Sequence, residues 1–268
     1  MNGKIKITPD KTIYPETDAD AVNYDNGTLK AKLDSLNTFT PSTFGKKLMQ
    51  ASKEEIYSLL GVAPHLIVDE CGNYWGISSE NVKPGDSSSY AAFSGDKFIA
   101  CAAGSYTLPQ GGLKIGTQPF TISFFTSILN STGTAVSLLD GYITVSLALT
   151  TGMNTNDTRT LYITVDDSKT AAASTAVNNS ALLVNKAHFE FCYDGTNTIY
   201  CFLNGALKKT YQFFFPRKAW EMQLGGSIGC FFNEFRVLDG VCEHTSAFTK
   251  PTAPYTLTNQ TVSLVHFD

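Results

Sequence analysis

Four short stretches carry side chains of the types that do chemistry. Gly225-Gly226-Ser227-Ile228-Gly229 has the Gly-x-Ser-x-Gly spacing of a nucleophile elbow, with Asp239 and then His244 or His266 in an order that fits a Ser-Asp-His triad. An elbow needs a strand, a sharp turn and a helix, yet the chain continues as CFFNEFRV, which reads as a strand. Glu16-Thr17-Asp18-Ala19-Asp20 sets carboxylates on alternate residues. Such a pair on one strand face can protonate a leaving oxygen and attack a sugar carbon. The string lacks a final Glu, lies in a polar segment, and has no counterpart in the β-rich remainder of the chain. Cys242-Glu243-His244 offers metal donors with no matching partner pair, and Cys-x-x-Cys does not occur, so a zinc site is not expected. Asp166-Asp167 carries oxygens of the kind Ca2+ takes, although a solvated turn is the simpler reading. His65 and His188 complete a set of four scattered histidines, and His188 reads as a packed or rim residue. The expectation is a protein without catalytic machinery and without a cofactor, Ca2+ being possible but not expected.

Recognition by aromatic rings is the stronger chemical signal. Sugars present C–H faces that stack on Trp or Tyr, with Asn and Asp orienting hydroxyls. Tyr74 and Trp75 in CGNYWG, Tyr106 before Leu108-Pro109, and Trp220 after Pro216-Arg217 fall in apparent loops and are the candidate ligand-binding residues. Each also fits a core or a subunit interface. Phe213-Phe214-Phe215 cannot all face one side of a strand, so at least one points outward.

The elements that must position these residues are strands. Candidates fall at 66–69, 90–93, 97–101, 120–129, 134–139, 142–149, 160–165, 188–193, 198–203, 220–224, 229–238 and 262–267. Gly, Pro, Asn, Asp and Ser punctuate the gaps. Asp194-Gly195, Asn204-Gly205 and Asp239-Gly240 read as hairpin turns, because these pairs reach positive φ at little cost. Residues 166–179 (DDSKTAAASTAVNN) read as a long polar loop. Together they predict an all-β antiparallel β-sandwich of the jelly-roll kind over residues 65–268.

Residues 1–64 differ. They hold eight lysines and eight acidic residues, and no Cys or Trp. Leu29, Leu33 and Leu36 recur at helical spacing, and Ser52 with Glu55 forms a capping box ahead of Ile56, Leu59 and Leu60. Gly61 and Pro64 then stop the helix. Such short helices need a partner surface, so this segment reads as an attachment or oligomerisation element. The formal net charge of −4, with 16% charged residues, argues against nucleic-acid binding. No apolar leader follows Met1 and no stretch of 18 apolar residues occurs, so neither export nor membrane insertion is expected. The six cysteines, at 71, 101, 192, 201, 230 and 242, then read as reduced thiols, with Cys192 and Cys201 possible neighbours across one hairpin.

PFTISFFTSI (119–128), HFEFCYDGTNTIYCFLNGALKK (188–209) and IGCFFNEFRVLDGV (228–241), with Asn204-Gly205 and Glu234-Phe235-Arg236, resemble the concanavalin A-like, laminin-G-like sandwich. YPETDADAV and TFGKKLMQASKEEIYSLLGV, through Phe44, Gly45, Leu48, Ala51, Leu59, Leu60 and Gly61, resemble the head regions of bacteriophage tail-fibre proteins. The two resemblances imply a phage or prophage tail fibre with a lectin-like tip. Its expected form is a homotrimer in the virion, assembled in the host cytoplasm, with other tail or baseplate proteins and a host cell-surface glycan or protein as partners. A bacterial carbohydrate-binding module and a diverged glycoside hydrolase of the same fold are the alternatives.

Overall fold

A computed structural model describes residues 23–24, 27–28, 67–77, 82–85, 89–94, 96–109, 111–129, 131–150, 158–176 and 182–267. The chain divides into two units, Met1–Pro64 and His65–Asp268. In the first, β1 (Asn23–Tyr24) and β2 (Gly27–Thr28) pair antiparallel, with Tyr24 opposite Gly27. The helical stripes of Leu29, Leu33 and Leu36 and of Ile56, Leu59 and Leu60 lie outside the described residues, as does Glu16–Asp20.

The second unit is built of strands. In chain order they are β3 (Ile67–Val68), β4 (Tyr74–Ile77), β5 (Val82–Gly85), β6 (Phe98–Cys101), β7 (Ser105–Pro109), β8 (Leu113–Ile115), β9 (Phe120–Leu129), β10 (Gly133–Leu138) and β11 (Ile143–Thr150). They continue as β12 (Thr158–Val165), β13 (Ser168–Ala176), β14 (Leu182–Tyr193), β15 (Thr198–Leu203), β16 (Ala206–Gln212), β17 (Lys218–Trp220), β18 (Met222–Gly226), β19 (Cys230–Asp239) and β20 (Thr261–Val265). One sheet has the order β13-β12-β11-β10-β18-β7-β4-β3. The other runs β16-β15-β14-β9-β19-β6-β5, with β20 also on β19. Every pairing is antiparallel, so this is the expected all-β sandwich. Among the described residues no helix is long and apolar enough to cross a membrane.

Period-two alternation sets which side chains meet between the sheets. Phe120, Ile122 and Phe124 of β9, Phe189, Phe191 and Tyr193 of β14, and Phe235 and Val237 of β19 share one cluster with Val136, Val145, Ile163 and Leu224 of the other sheet. Phe124 stacks on Phe189 at 5.4 Å between ring centroids. Burying one such ring contributes about 1.5–3 kcal/mol.

Several local expectations change. Residues 90–93 are turn and bend, with the Tyr90 ring stacked on Phe231 at 4.0 Å. Residues 166–179 are not one loop: Asp166 and Asp167 take φ of 45° and 64° in a tight turn, and β13 then pairs with β12. Both aspartates are exposed at that turn. Asn204-Gly205 is the expected two-residue hairpin, with Leu203 opposite Ala206. Asp194-Gly195 instead opens a longer loop, where Asp194 Oδ1 accepts from the amides of Thr196, Asn197 and Thr198. After Asp239-Gly240 no hairpin follows; the chain leaves the sheet until β20. Cys192 and Cys201 point to opposite faces, since Cys192 lies opposite Tyr200 while Cys201 lies opposite the core residue Phe191.

Gly205 has φ +76°, and a Cβ there would stand 2.0 Å from the Phe248 carbonyl oxygen. Gly205→Ala should therefore lower unfolding free energy by about 1–3 kcal/mol in a urea titration. It should also speed proteolysis near Phe248.

Candidate functional site

Residues 121–128 of β9 are buried on both faces of the sheet. The outer face carries Thr121, Ser123, Phe125 and Ser127, flanked by His188, Glu190 and Cys192 of β14 and by Glu234 and Arg236 of β19. One row across the sheet is Phe202–Glu190–Ser123–Arg236–Leu264. A strap, residues 241–260, crosses this face without helix or strand. Thr121 Oγ1 donates to the Val241 carbonyl at 3.0 Å and accepts from the Glu243 amide at 3.0 Å. The Phe248 amide donates to the Gly205 carbonyl, and the Tyr255 amide to Glu234 Oε2 at 2.9 Å.

Most charged groups under the strap find a partner there. Glu190 Oε1 meets His244 Nδ1 at 2.6 Å and lies 3.2 Å from Cys192 Sγ. Arg236 forms an ion pair with Glu243 and lies over the Tyr255 ring at 4.2 Å. His188 Nε2 bonds the Tyr255 hydroxyl at 2.6 Å, and His266 Nδ1 meets Glu234 Oε1 at 2.7 Å. Burial pushes the Glu190 and Glu234 carboxyls up. Cys192 and Glu190 beside it push His244 up to about 9. A pocket of about 260 Å3 opens beside this network, lined by Glu190, Arg236, Glu243, His244, Phe248 and Tyr255 among others.

Neither Cys192 nor Ser227 is placed as a nucleophile. Cys192 is fully buried, and burial pushes its thiol up. Ser227 of the Gly-x-Ser-x-Gly stretch sits between β18 and β19 in a strand-turn-strand, and its Oγ accepts the Thr134 amide at 2.8 Å. His244 and His266 are held by Glu190 and Glu234 instead.

Of the candidate stacking residues, Tyr74 is 68% exposed on β4. Trp75 and Trp220 are not ligand platforms: both are buried in the core. Trp75 Nε1 donates to buried Asp69 at 3.3 Å and Trp220 Nε1 to the Ile115 carbonyl at 3.0 Å. Tyr106 lies on β7, opposite Gly225. The sequence reading singled out the Phe213–Phe215 triplet but passed over Tyr142, which packs on Phe213. Tyr142, 38% exposed, meets Phe213 at 4.9 Å and Trp220 edge-on at 5.8 Å. Phe214 is 56% exposed, the outward phenylalanine of its triplet, while Phe215 is buried. The Lys218–Asp140 ion pair, 2.5 Å, borders this aromatic surface. The signal lay in the Leu139–Tyr142 turn, whose Asp-Gly pair fixes where Tyr142 emerges.

No protein-family model matches the chain. No curated protein matches it. Among solved structures it is similar to the receptor binding domain of botulinum neurotoxin D, at 11% identity over 70% of this chain and 48% of that one, TM-score 0.40. It is likewise similar to a botulinum neurotoxin serotype D ligand binding domain in complex with N-acetylneuraminic acid, at 11% identity over 70% and 46%, TM-score 0.41. A native heptameric SAP-like pentraxin from Limulus polyphemus is similar at 14% identity over 57% and 78%, TM-score 0.36. The chain spans about half the length of the toxin domains it matches.

The buried network makes stability depend on pH. Burial, with Arg236, Lys250 and His244 nearby, lowers His188 from 6.5 to about 3, while Glu190 stands 4.0 Å away. The unfolded chain takes up this proton below about pH 6.5 and the folded chain does not. Stability should therefore fall as pH drops from 6.5 toward 3, with this residue adding a slope of up to about 1.4 kcal/mol per pH unit. Urea titrations across that window should show a shallower slope for His188→Asn.

Proposed function

We propose that this chain is a non-enzymatic receptor-binding protein of a bacteriophage or prophage tail fibre, whose lectin-like sandwich grips a host cell-surface glycan. The observation that carries the binding half is exposed Tyr142, packed on Phe213 beside the Asp140–Lys218 pair, with exposed Phe214 next in the chain. Rings offer C–H stacking surface, and the charged pair offers hydrogen bonds to hydroxyls. The carboxylates under the strap support binding over hydrolysis, because each is engaged by a fixed partner: Glu190 by His244, Glu234 by His266, Glu243 by Arg236. A general acid and a nucleophile would need carboxyls free of such partners.

The tail-fibre half rests on the resemblance of residues 1–64 to fibre heads. In this reading that segment assembles three chains and joins other tail or baseplate proteins in the virion. Weak single-tip affinity is then multiplied by several copies acting together.

Light scattering on the full chain should return three times the single-chain mass; a single-chain mass overturns the trimer. A glycan array probed with the intact protein should show a defined set of ligands. Tyr142→Ala and Phe214→Ala should each weaken binding by about 5- to 100-fold, the 1–3 kcal/mol of a stacked ring, without changing the melting temperature. Array signal unaffected by both variants removes these rings from the account, and release of reducing ends from polysaccharides marks a hydrolase instead.

A further inference from the structure

The cluster under the strap joins two short sequence patterns that lie fifty residues apart. Glu190 and Cys192 stand at alternate positions of β14, so both point to the outer face. Cys242 and His244 stand at alternate positions of the strap. The strap is fixed at this point by the two Thr121 hydrogen bonds, which clamp Val241 and Glu243 over β9. As a result Glu190, Cys192 and His244 place one oxygen, one sulfur and one nitrogen donor all within 4.8 Å of one another. Cys242 lies next to them on the strap, its Sγ donating to the His244 carbonyl oxygen at 3.6 Å.

We propose that Glu190, Cys192, Cys242 and His244 form a binding site for a thiophilic divalent cation of the Zn2+ class. Two sulfurs, one imidazole and one carboxylate are the donor types Zn2+ takes in tetrahedral sites. The spacing fits as well. Donors at the ~2.0–2.3 Å bond lengths of such a site are about 3.3–3.8 Å apart. Here the Glu190–His244 and Glu190–Cys192 donor separations are 2.6 and 3.2 Å. An ion between Glu190, Cys192 and His244 therefore needs these donors to shift by about an ångström. The pocket lined by Glu190 and His244 gives it a way in from solvent. Hard cations such as Ca2+ are a poor match, because they want six or more oxygens. The role follows from the connectivity: two ligands from the sheet and two from the strap make a cross-link. The site stands on its own geometry, apart from the rings proposed to bind glycan.

The test is Co2+ binding to the reduced, chelator-stripped full chain in a Cys71→Ser background, which removes the exposed thiol. One equivalent should bind with the visible bands of tetrahedral Co2+ and a thiolate-to-cobalt charge-transfer band, and Zn2+ should bleach both. Cys242→Ser, at a half-buried strap position that the sandwich core does not use, should weaken binding by more than about a hundredfold. Even partners one shell further out are worth about 10- to 100-fold. Cys192→Ser should weaken the charge-transfer band to about half or less, since one of the two thiolates is gone. Zn2+ should raise the melting temperature of the parent and not of Cys242→Ser. Absence of the charge-transfer band in the parent, or its persistence at full strength in either serine variant, overturns the site.

Discussion

The structure depends on burying both faces of one sheet. The inner face of β9 meets the opposing sheet through aromatic rings, an ordinary hydrophobic contact. Its outer face carries Thr, Ser and a neighbouring Glu, His and Arg, and these too are shut from water by the strap. Apolar cover alone would leave those groups without partners at several kcal/mol each. The strap must therefore bring matching donors and acceptors, and it does: His244 for Glu190, Glu243 for Arg236, the Tyr255 amide for Glu234 and its hydroxyl for His188. A small apolar cluster of Phe125, Tyr255 and Leu264 seals one end.

This constraint ties the hairpin turns to the chemistry. Asn204-Gly205 ends β15 tightly, and its backbone touches the strap at Phe248. Phe248 in turn stacks on His244 at 3.7 Å, edge-on to Phe202 at 5.2 Å. The imidazole is thus held by packing on one side and by a carboxyl on the other, so its orientation is a property of the whole outer layer rather than of a flexible loop.

The sandwich was legible because its central strands combine large apolar residues with clean alternation. Strands 120–129 and 198–203 lie where the sequence places them. Strand β13 was missed because SKTAAASTA has small side chains on both faces and its turn is Asp-Asp, without glycine. Trp75 and Trp220 were misjudged because nearby Gly, Asn and Pro read as loops, whereas backbone pairing to Ile67 and Leu113 carries both rings into the core. Half of the buried cluster was in plain view. In HFEFCY the alternation that sends Phe189, Phe191 and Tyr193 inward sends His188, Glu190 and Cys192 outward together. Its other half, Cys242 to His244, needs the path of the strap, which local periodicity does not encode.

Asp69 draws together the two ends of the sandwich. Its carboxyl oxygens accept from the Cys71 amide, Asn73 Nδ2, Trp75 Nε1, Ser263 Oγ and the Leu264 amide. The last two partners lie almost two hundred residues downstream. On a ribosome, an early residue of the body therefore waits for β20 to emerge. Until then a polar group destined for the interior has only its local donors, and β19 lacks its second neighbour along Phe235–Leu238. A body without β20 keeps this seam open.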